Sequence, residues 1–331
     1  MKKCIVTGGA GFIGSNLVEK LISLNYKINV IDNLSTGLRS NLKNFEKNIN
    51  FYEKDISNLE QLDDSIFKDV DYVFHLAGLA DIVPSIENPE NYFKSNVLGT
   101  LNVLQKSKKH KIKKFIYAAS ASCYGIPKHF PTSEKSEITT EYPYALTKNL
   151  GEQLVTHWAK VYKMPYISLR FFNAYGQRSR TTGAYGAMFG VFMAQKLKEK
   201  PLTIVGDGNQ TRDFIHVNDL VNAVVKVAEH SVENEIFNVA SGVETSVNTI
   251  ADIIGGEKIS IPKRPGEPDR SLADISKIQK LIGWQPEISI NDGVKMLLKN
   301  IEQWKNAPVW TPETIKDATR PWFQYLKKND E

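Results

Sequence analysis

The chain reads as an α/β protein: a parallel sheet wound on both faces by helices, followed by a smaller lobe of mixed strands and helices. Three observations predict it. Short apolar runs, "CIVT", "KINVID", "INFYEKD", "YVFHLAG", "KFIYAAS" and "YISLRFFN", alternate with helix-like segments through the first half of the sequence, the pattern of strands joined by helical crossovers. The length of 331 residues exceeds one average domain, which calls for two lobes. After Asn173 the rhythm turns irregular and Gly-rich, "NAYGQRSRTTGAYGAMFG", before another helix and the strand "LTIVGDG", so the second lobe begins there.

Composition narrows the function classes. A hydrophobic content of 41% with 24% charged residues is ordinary for a soluble globular protein. No apolar stretch reaches the length of a membrane span, and Met1-Lys2-Lys3 runs directly into a short strand rather than a signal-peptide core; a cytoplasmic protein with no membrane partner is expected. Cys4 and Cys123 both lie in apolar strand-like runs, where buried thiols are commoner than a metal site or a disulfide, and no metal is expected. The net charge of +5 is mild, and the Lys-rich "KSKKHKIKK" and "KLKEK" read as solvated helix faces rather than a nucleic-acid surface. The modest excess suits an anionic small substrate. The sequence has no internal repeat and no low-complexity segment.

The elements follow in order. "VTGGAGFIGS" places Gly8, Gly11 and Gly14 between the first strand and the first helix. Glycines at that spacing allow a tight turn, close approach of backbone to a pyrophosphate and close helix packing, while the helix N-terminus, with Phe12 and Ile13, offers free N–H groups and partial positive charge. In "SNLVEKLISL" Leu17, Val18, Leu21 and Ile22 share one face. The second strand ends at Asp32, eighteen residues after Gly14, where a carboxylate accepts hydrogen bonds from an adenosine ribose; Asn33 follows it. Asp32 would repel a 2′-phosphate, which favours NAD over NADP, and Arg39 is the one nearby residue that argues otherwise. Asp55 and Ile56, at the end of the third strand, are candidate adenine contacts. In "HLAG" the residues Leu76, Ala77 and Gly78 would run beside the cofactor, whereas His75 reads as a packed core histidine.

The fifth strand closes in "AASASCYG", with hydroxyls at Ser120 and Ser122. "YPYALTKNLGEQL" then sets Tyr144 and Lys148 four residues apart, on one face of a helix. A Lys ammonium and a bound nicotinamide cation both favour phenolate, drawing a Tyr toward general-base use. Tyr-x-x-x-Lys alone is a weak signal. It gains specificity from the Gly-rich turn, Asp32, Asn96 in "NVLGT" and a Ser-bearing strand 24 residues before Tyr144.

With these motifs the chain resembles, over almost its whole length, the extended short-chain dehydrogenases/reductases, within the nucleotide-sugar epimerase and dehydratase group. "LRFFNAYGQR", "GDGNQTRDFIHVNDL", "FNVASG" and "RPGEPDRSLADISK" follow the group's pattern in order. The resemblance implies a Rossmann-type domain at 1–172, with returning segments about 211–241 and near 271–278, and a nucleotide-sugar-binding lobe at 173–210 and about 242–331. It implies a catalytic triad of Ser120, Tyr144 and Lys148, bound NAD, and a substrate diphosphate held by Asn173, Arg212 and Arg264, whose planar forks suit paired phosphate oxygens. Sugar 4,6-dehydratases of the group carry Asp-Glu where this chain has Ala121 and Ser122, and the decarboxylases usually carry Glu at the second place. Redox chemistry at one carbinol remains, with Ser122 lining the sugar pocket, as in the 4-epimerases. Seven residues after Arg264 stands Ser271, which by the same likeness lies beside the sugar C2 substituent. A small residue there leaves room for an N-acetyl group, so UDP-N-acetylglucosamine and UDP-N-acetylgalactosamine are expected substrates beside UDP-glucose and UDP-galactose. Rival readings are epimerisation at another carbon or of another nucleotide sugar (CDP-, GDP- or dTDP-linked, or UDP-glucuronate), and a silent NAD sensor. The resemblance also implies a homodimer, for which Leu150, Leu154, Trp158 and Val161 offer an apolar stripe. In the tail, Thr311 caps a helix with Pro312 at its first position, Pro321 breaks it, and the aromatics pack against the second lobe.

Overall fold

The computed structural model describes residues 1–179 and 188–326. Its strands are β1 (Lys3–Thr7), β2 (Lys27–Asp32), β3 (Ile49–Glu53), β4 (Tyr72–His75), β5 (Lys114–Ser120), β6 (Tyr166–Phe171), β7 (Asn173–Tyr175), β8 (Leu202–Val205), β9 (Thr211–His216), β10 (Glu235–Val239), β11 (Glu244–Ser246) and β12 (Lys258–Ile261). Seven of them form one parallel sheet in the order β10-β6-β5-β4-β1-β2-β3. The chain leaves β1 toward one edge and returns from β3 to β4 on the other side of β1. That reversal opens a crevice beyond the ends of β1 and β4, the usual ligand position in a doubly wound sheet.

Successive side chains of a strand point to opposite faces, and β1 shows the consequence. Cys4 and Val6 enter a core with Leu17, Val18 and Leu21 of the helix Phe12–Ser23 and with the helix Val217–Glu229. Ile5 enters the opposite core with Val103, Leu104, Phe115 and Val155. A third core fills the smaller lobe around Phe189, Phe192, Phe214, Ile250 and Trp304, beneath the sheet β11-β9-β7 and the pair β12-β8.

Three expectations need refining. The return to the large sheet, expected from about residue 211, starts one strand later: β9 pairs with β7 and β11, and His216, its last residue, caps the helix that rejoins the large domain. Cys123 sits in the one-turn helix Ala121–Tyr124 after β5 rather than in the strand. It is buried all the same, and burial pushes its thiol up to about 12. In the tail Thr311 does cap the helix Pro312–Ala318, but Pro321 lies in the first turn of a further helix, Arg320–Tyr325. Of the aromatics there, Trp322 is buried while Tyr325 is exposed, and this last helix packs against Ile82–Glu87 of the large domain as well. Among the described residues no helix is long and apolar enough to cross a membrane, and no cluster of His, Cys, Asp and Glu could hold a metal.

Candidate active site

The Gly-rich turn crosses the end of β4 at contact distance. Gly8 has φ +69°, and a Cβ on it would lie 2.7 Å from the Ala77 nitrogen; a Cβ on Gly14 would lie 2.0 Å from the Gly8 carbonyl oxygen. Neither place has room for a side chain. Gly11 caps the helix Phe12–Ser23 without a side-chain bond, so no side chain competes for that helix's first N–H groups. They border a cleft of about 730 Å³. Gly8, Gly11, Phe12, Ile13 and Gly14 form one wall of it, Asp32 and Asn33 one end, Asp55 and Ile56 the next edge, and Leu76, Ala77 and Gly78 the side toward β4. A bare glycine cradle, a helix N-terminus and a carboxylate beyond β2 fit the pyrophosphate and ribose of a dinucleotide.

Asp32 is held by two backbone N–H groups. Its Oδ2 accepts from the Ala10 N–H (2.9 Å) and its Oδ1 from the Leu34 N–H (2.8 Å). Burial pushes its carboxyl above the usual value, and these two N–H groups oppose the rise. Arg39, the residue that could have favoured a 2′-phosphate, is engaged elsewhere: its guanidinium stacks 3.8 Å from the Phe51 ring centre and pairs with Glu46. Asn96 is bound into the protein through its side-chain amide. It does not line the cleft; its Oδ1 accepts from the Leu79 N–H, and its Nδ2 donates to the Leu79 carbonyl and to Thr147 Oγ1. It ties the loop after β4 to the helix Pro143–Tyr162 and lies against Gly78.

His75 is fully buried and held in one tautomer. Thr100 spends its hydroxyl proton on the Asn96 carbonyl, so its oxygen accepts from His75 Nε2 at 2.9 Å, and His75 Nδ1 accepts from Thr7 at 2.7 Å. Burial, with the Lys148 charge nearby, lowers its pKa from 6.5 to about 3. The unfolded chain therefore binds a proton here between those pH values that the folded chain does not, and stability falls as pH drops through that window. His75→Asn removes this contribution. The gap in unfolding free energy between wild type and variant should shrink by about 1.4 kcal/mol per pH unit below pH 6. Urea melts at pH 7, 6 and 5 measure it, and parallel curves would refute it.

The second cluster stands where β5 ends. Ser120 Oγ accepts from the Ser122 N–H (3.2 Å) and from Ser122 Oγ (2.9 Å), which leaves the Ser120 O–H proton free to donate. Tyr144 faces both hydroxyls. Its ring lies parallel to Tyr142 (6.3 Å, 10°) and edge-on to Tyr92 (6.4 Å, 72°). Lys148, one turn later, sits over the Tyr117 ring at 4.5 Å, and burial lowers it to about 8 against the pull of Glu152. The expected lowering of the Tyr144 phenol does not come from the protein's own groups. Burial raises it, and the hydrogen bonds with Ser120 and Ser122 recover only part. A buried fork behind the helix fixes the geometry: Arg170 Nη2 and Nε bind the Glu152 carboxylate at 2.6 and 3.1 Å, and Nη1 donates to Tyr124 OH at 2.9 Å.

Ser120, Tyr144 and Lys148 open into a cavity of about 480 Å³, which Asn173, Arg212 and Ser271 also border. Arg264 borders an adjoining cavity of about 300 Å³, walled by Phe189, Phe192 and Phe214, to which Asn173 and Arg212 are common. Between the two arginines stands a residue that sequence reasoning passed over: the Glu267 carboxylate, 2.7 Å from Arg212 Nη2 and 3.8 Å from Arg264 Nη1. Its position three residues after Arg264 was the available signal. Ser271 has a fixed backbone. The adjoining Leu272 carbonyl accepts from the Thr132 N–H at 2.8 Å, and the Ala273 N–H donates to buried Asp213 at 3.1 Å. Trp322, from the far end of the chain, borders both cavities.

A dinucleotide cleft that runs into a Ser-Tyr-Lys cluster defines an NAD-dependent enzyme of the extended short-chain dehydrogenase/reductase type. Comparison narrows the class. Residues 4–240 match the NAD dependent epimerase/dehydratase family. A protein of Methanocaldococcus jannaschii described as a putative UDP-glucose 4-epimerase is 40% identical over 89% of this chain and 96% of its own. Among solved structures, a UDP-N-acetylglucosamine 4-epimerase from Methanobrevibacter ruminantium is 33% identical (TM-score 0.84, 90% of this chain and 99% of that one). A UDP-glucuronic acid 4-epimerase from Bacillus cereus, solved with UDP-glucuronic acid and NAD, is 32% identical (TM-score 0.84, 91% and 99%). The chain belongs to the NAD dependent epimerase/dehydratase family. It is an isomerase of the nucleotide-sugar epimerase kind, and its cofactor is NAD.

Proposed function

We propose that the protein inverts C4 of a UDP-hexose and accepts the N-acetylated pair, UDP-N-acetylglucosamine and UDP-N-acetylgalactosamine, as well as UDP-glucose and UDP-galactose. The observation that carries this reading is the hydroxyl cluster at the end of β5. Ser120 and Ser122 are bonded to each other and face Tyr144, and Ala121 and Ser122 stand where elimination needs acids. Bound NAD supplies the acceptor, and afterwards the donor, of the C4 hydride. Tyr144 takes the C4 hydroxyl proton and later returns it, while the Ser120 O–H stabilises the charge developing on the same oxygen. Lys148, as ammonium, favours the phenolate form of Tyr144. Asn173, Arg212 and Arg264 hold the diphosphate, and the sugar turns about its bond to it within the 480 Å³ cavity. Firm anchoring of the nucleotide with loose holding of the sugar is what a two-faced reaction needs.

The test incubates the purified protein, without added cofactor, with UDP-glucose, UDP-N-acetylglucosamine, UDP-glucuronic acid and CDP-, GDP- and dTDP-glucose, and follows C4 configuration by NMR. Interconversion of the UDP-hexose pairs is expected. Turnover of UDP-glucuronic acid alone or of another base alone would replace this substrate, and no turnover of any would leave a sensor.

A homodimer is part of the same reading. On the helix Pro143–Tyr162, Leu150, Leu154 and Trp158 are half-buried, whereas Val161 and Tyr162 are 49% and 42% exposed, an apolar end that suits a second copy. Light scattering at micromolar concentration should give twice the chain mass of 37.3 kDa; a monomer throughout would rule the dimer out.

A further inference from the structure

The helix Arg320–Tyr325 lies far from every motif of the nucleotide site in sequence, yet it supplies Trp322 to the boundary of both substrate-side cavities. The indole is 4% exposed, and its Nε1–H donates to the Pro265 carbonyl at 2.6 Å. Pro265 is the residue directly after Arg264. The Arg264 guanidinium in turn lies over the indole face, 5.5 Å from the ring. The tail that carries Trp322 is fixed upstream too: Gln195 Nε2 donates to the Trp310 carbonyl at 2.8 Å, and Ile315 is buried against the second cavity.

We propose that Trp322 is a positioning residue for Arg264, setting the guanidinium at the second cavity, which Arg212 also borders. The inference rests on the reading that Arg264 holds the substrate diphosphate. A guanidinium on a loop spends conformational freedom each time it closes on an anion. Two contacts from one side chain reduce that loss: the N–H bond fixes the backbone next to Arg264, and the ring face supports the charged plane. The Glu267 carboxylate draws the same guanidinium from the other side at 3.8 Å, so without the indole the arginine has one fewer restraint holding it in the cleft. Among the described residues no hydrogen bond links Trp322 to the Ser120-Tyr144 cluster, so its effect belongs to binding rather than to the chemical step.

The test is a mutant cycle on the full chain with bound NAD, using Trp322→Leu, Trp322→Phe, Arg264→Ala and the doubles. Titration calorimetry with UDP gives Kd, and steady-state assays with the best sugar nucleotide give KM and kcat separately. Trp322→Leu should raise the Kd of UDP and the KM each by roughly tenfold with kcat nearly unchanged. Trp322→Phe, which keeps a ring and loses the N–H, should fall between. On an Arg264→Ala background neither change should weaken UDP binding further. Additive losses in the doubles, or a fall in kcat at unchanged KM, would overturn the proposal. Should Trp322→Leu not fold, the Trp322→Phe arm decides by the same criterion. An Arg264→Ala protein that binds UDP like the wild type would instead refute the diphosphate role of Arg264 itself, which separates the two failures.

Discussion

Tyr144→Phe lowers kcat by about a hundredfold or more while the protein stays folded and keeps its NAD. The substitution removes one oxygen and nothing else. The ring keeps its parallel partner Tyr142 and its edge-on partner Tyr92, and the hydroxyl's partners, Ser120 and Ser122, still have each other at 2.9 Å. The Ser120 O–H loses its acceptor, but Ser120 is only half-buried and borders the cavity, so stability should change little. Chemistry loses its proton acceptor. The Ser120 hydroxyl cannot replace it, because its oxygen already accepts two hydrogen bonds from Ser122 and its ordinary acidity is far weaker than a phenol's. The measurement is kcat on the best substrate of the NMR panel, with circular dichroism and released NAD as controls. Wild-type turnover by the variant would remove Tyr144 as the base.

Ser271→Tyr depresses kcat/KM for the N-acetylated pair by roughly tenfold or more and spares UDP-glucose and UDP-galactose. The side chain cannot evade the cavity by a backbone shift. Its neighbours Leu272 and Ala273 are bonded to Thr132 and to Asp213, and Asp213 also binds Ser241 and Gly242. A ring introduced there takes space that borders Ser120, Ser122 and Tyr144. If the N-acetyl group uses that space, overpacking costs about 1 to 3 kcal/mol, which is roughly tenfold to a hundredfold in rate. Equal losses on both pairs of sugars, or no wild-type activity on the N-acetylated pair, would show that Ser271 does not set the sugar choice.

The cofactor side of the molecule was legible because its parts are local. Its expected residues come from the ends of strands or the first turn of the helix after them, and a parallel sheet brings consecutive strand ends to one edge. Gly8, Asp32, Asp55 and Leu76 are spread over the first four strands, yet they meet in one cleft. Spacing also put Tyr144 and Lys148 on one helix face. Asn96 shows the limit of such reasoning. Its neighbourhood was readable, but whether an amide faces a cleft or the loop behind it depends on which donors fold back to meet it, here Leu79 and Thr147.

The sequence by itself determined the fold class, the Gly-rich turn, the carboxylate at the end of β2 and the Tyr-Lys pair, since strand and helix periods and short turns fix these within a few residues. Tertiary structure alone decided the rest of the substrate side. Glu267 meets Arg212 across 55 residues of sequence, Trp322 meets Pro265 across 57, and Arg170 meets Glu152 only because β6 lies under the catalytic helix. It also decided the acidity of Tyr144. Four-residue spacing to a lysine, with a bound nicotinamide cation, argues for a lowered phenol; desolvation depends on how deeply the packed helix buries that ring, and among the chain's own groups burial outweighs the neighbouring hydroxyls.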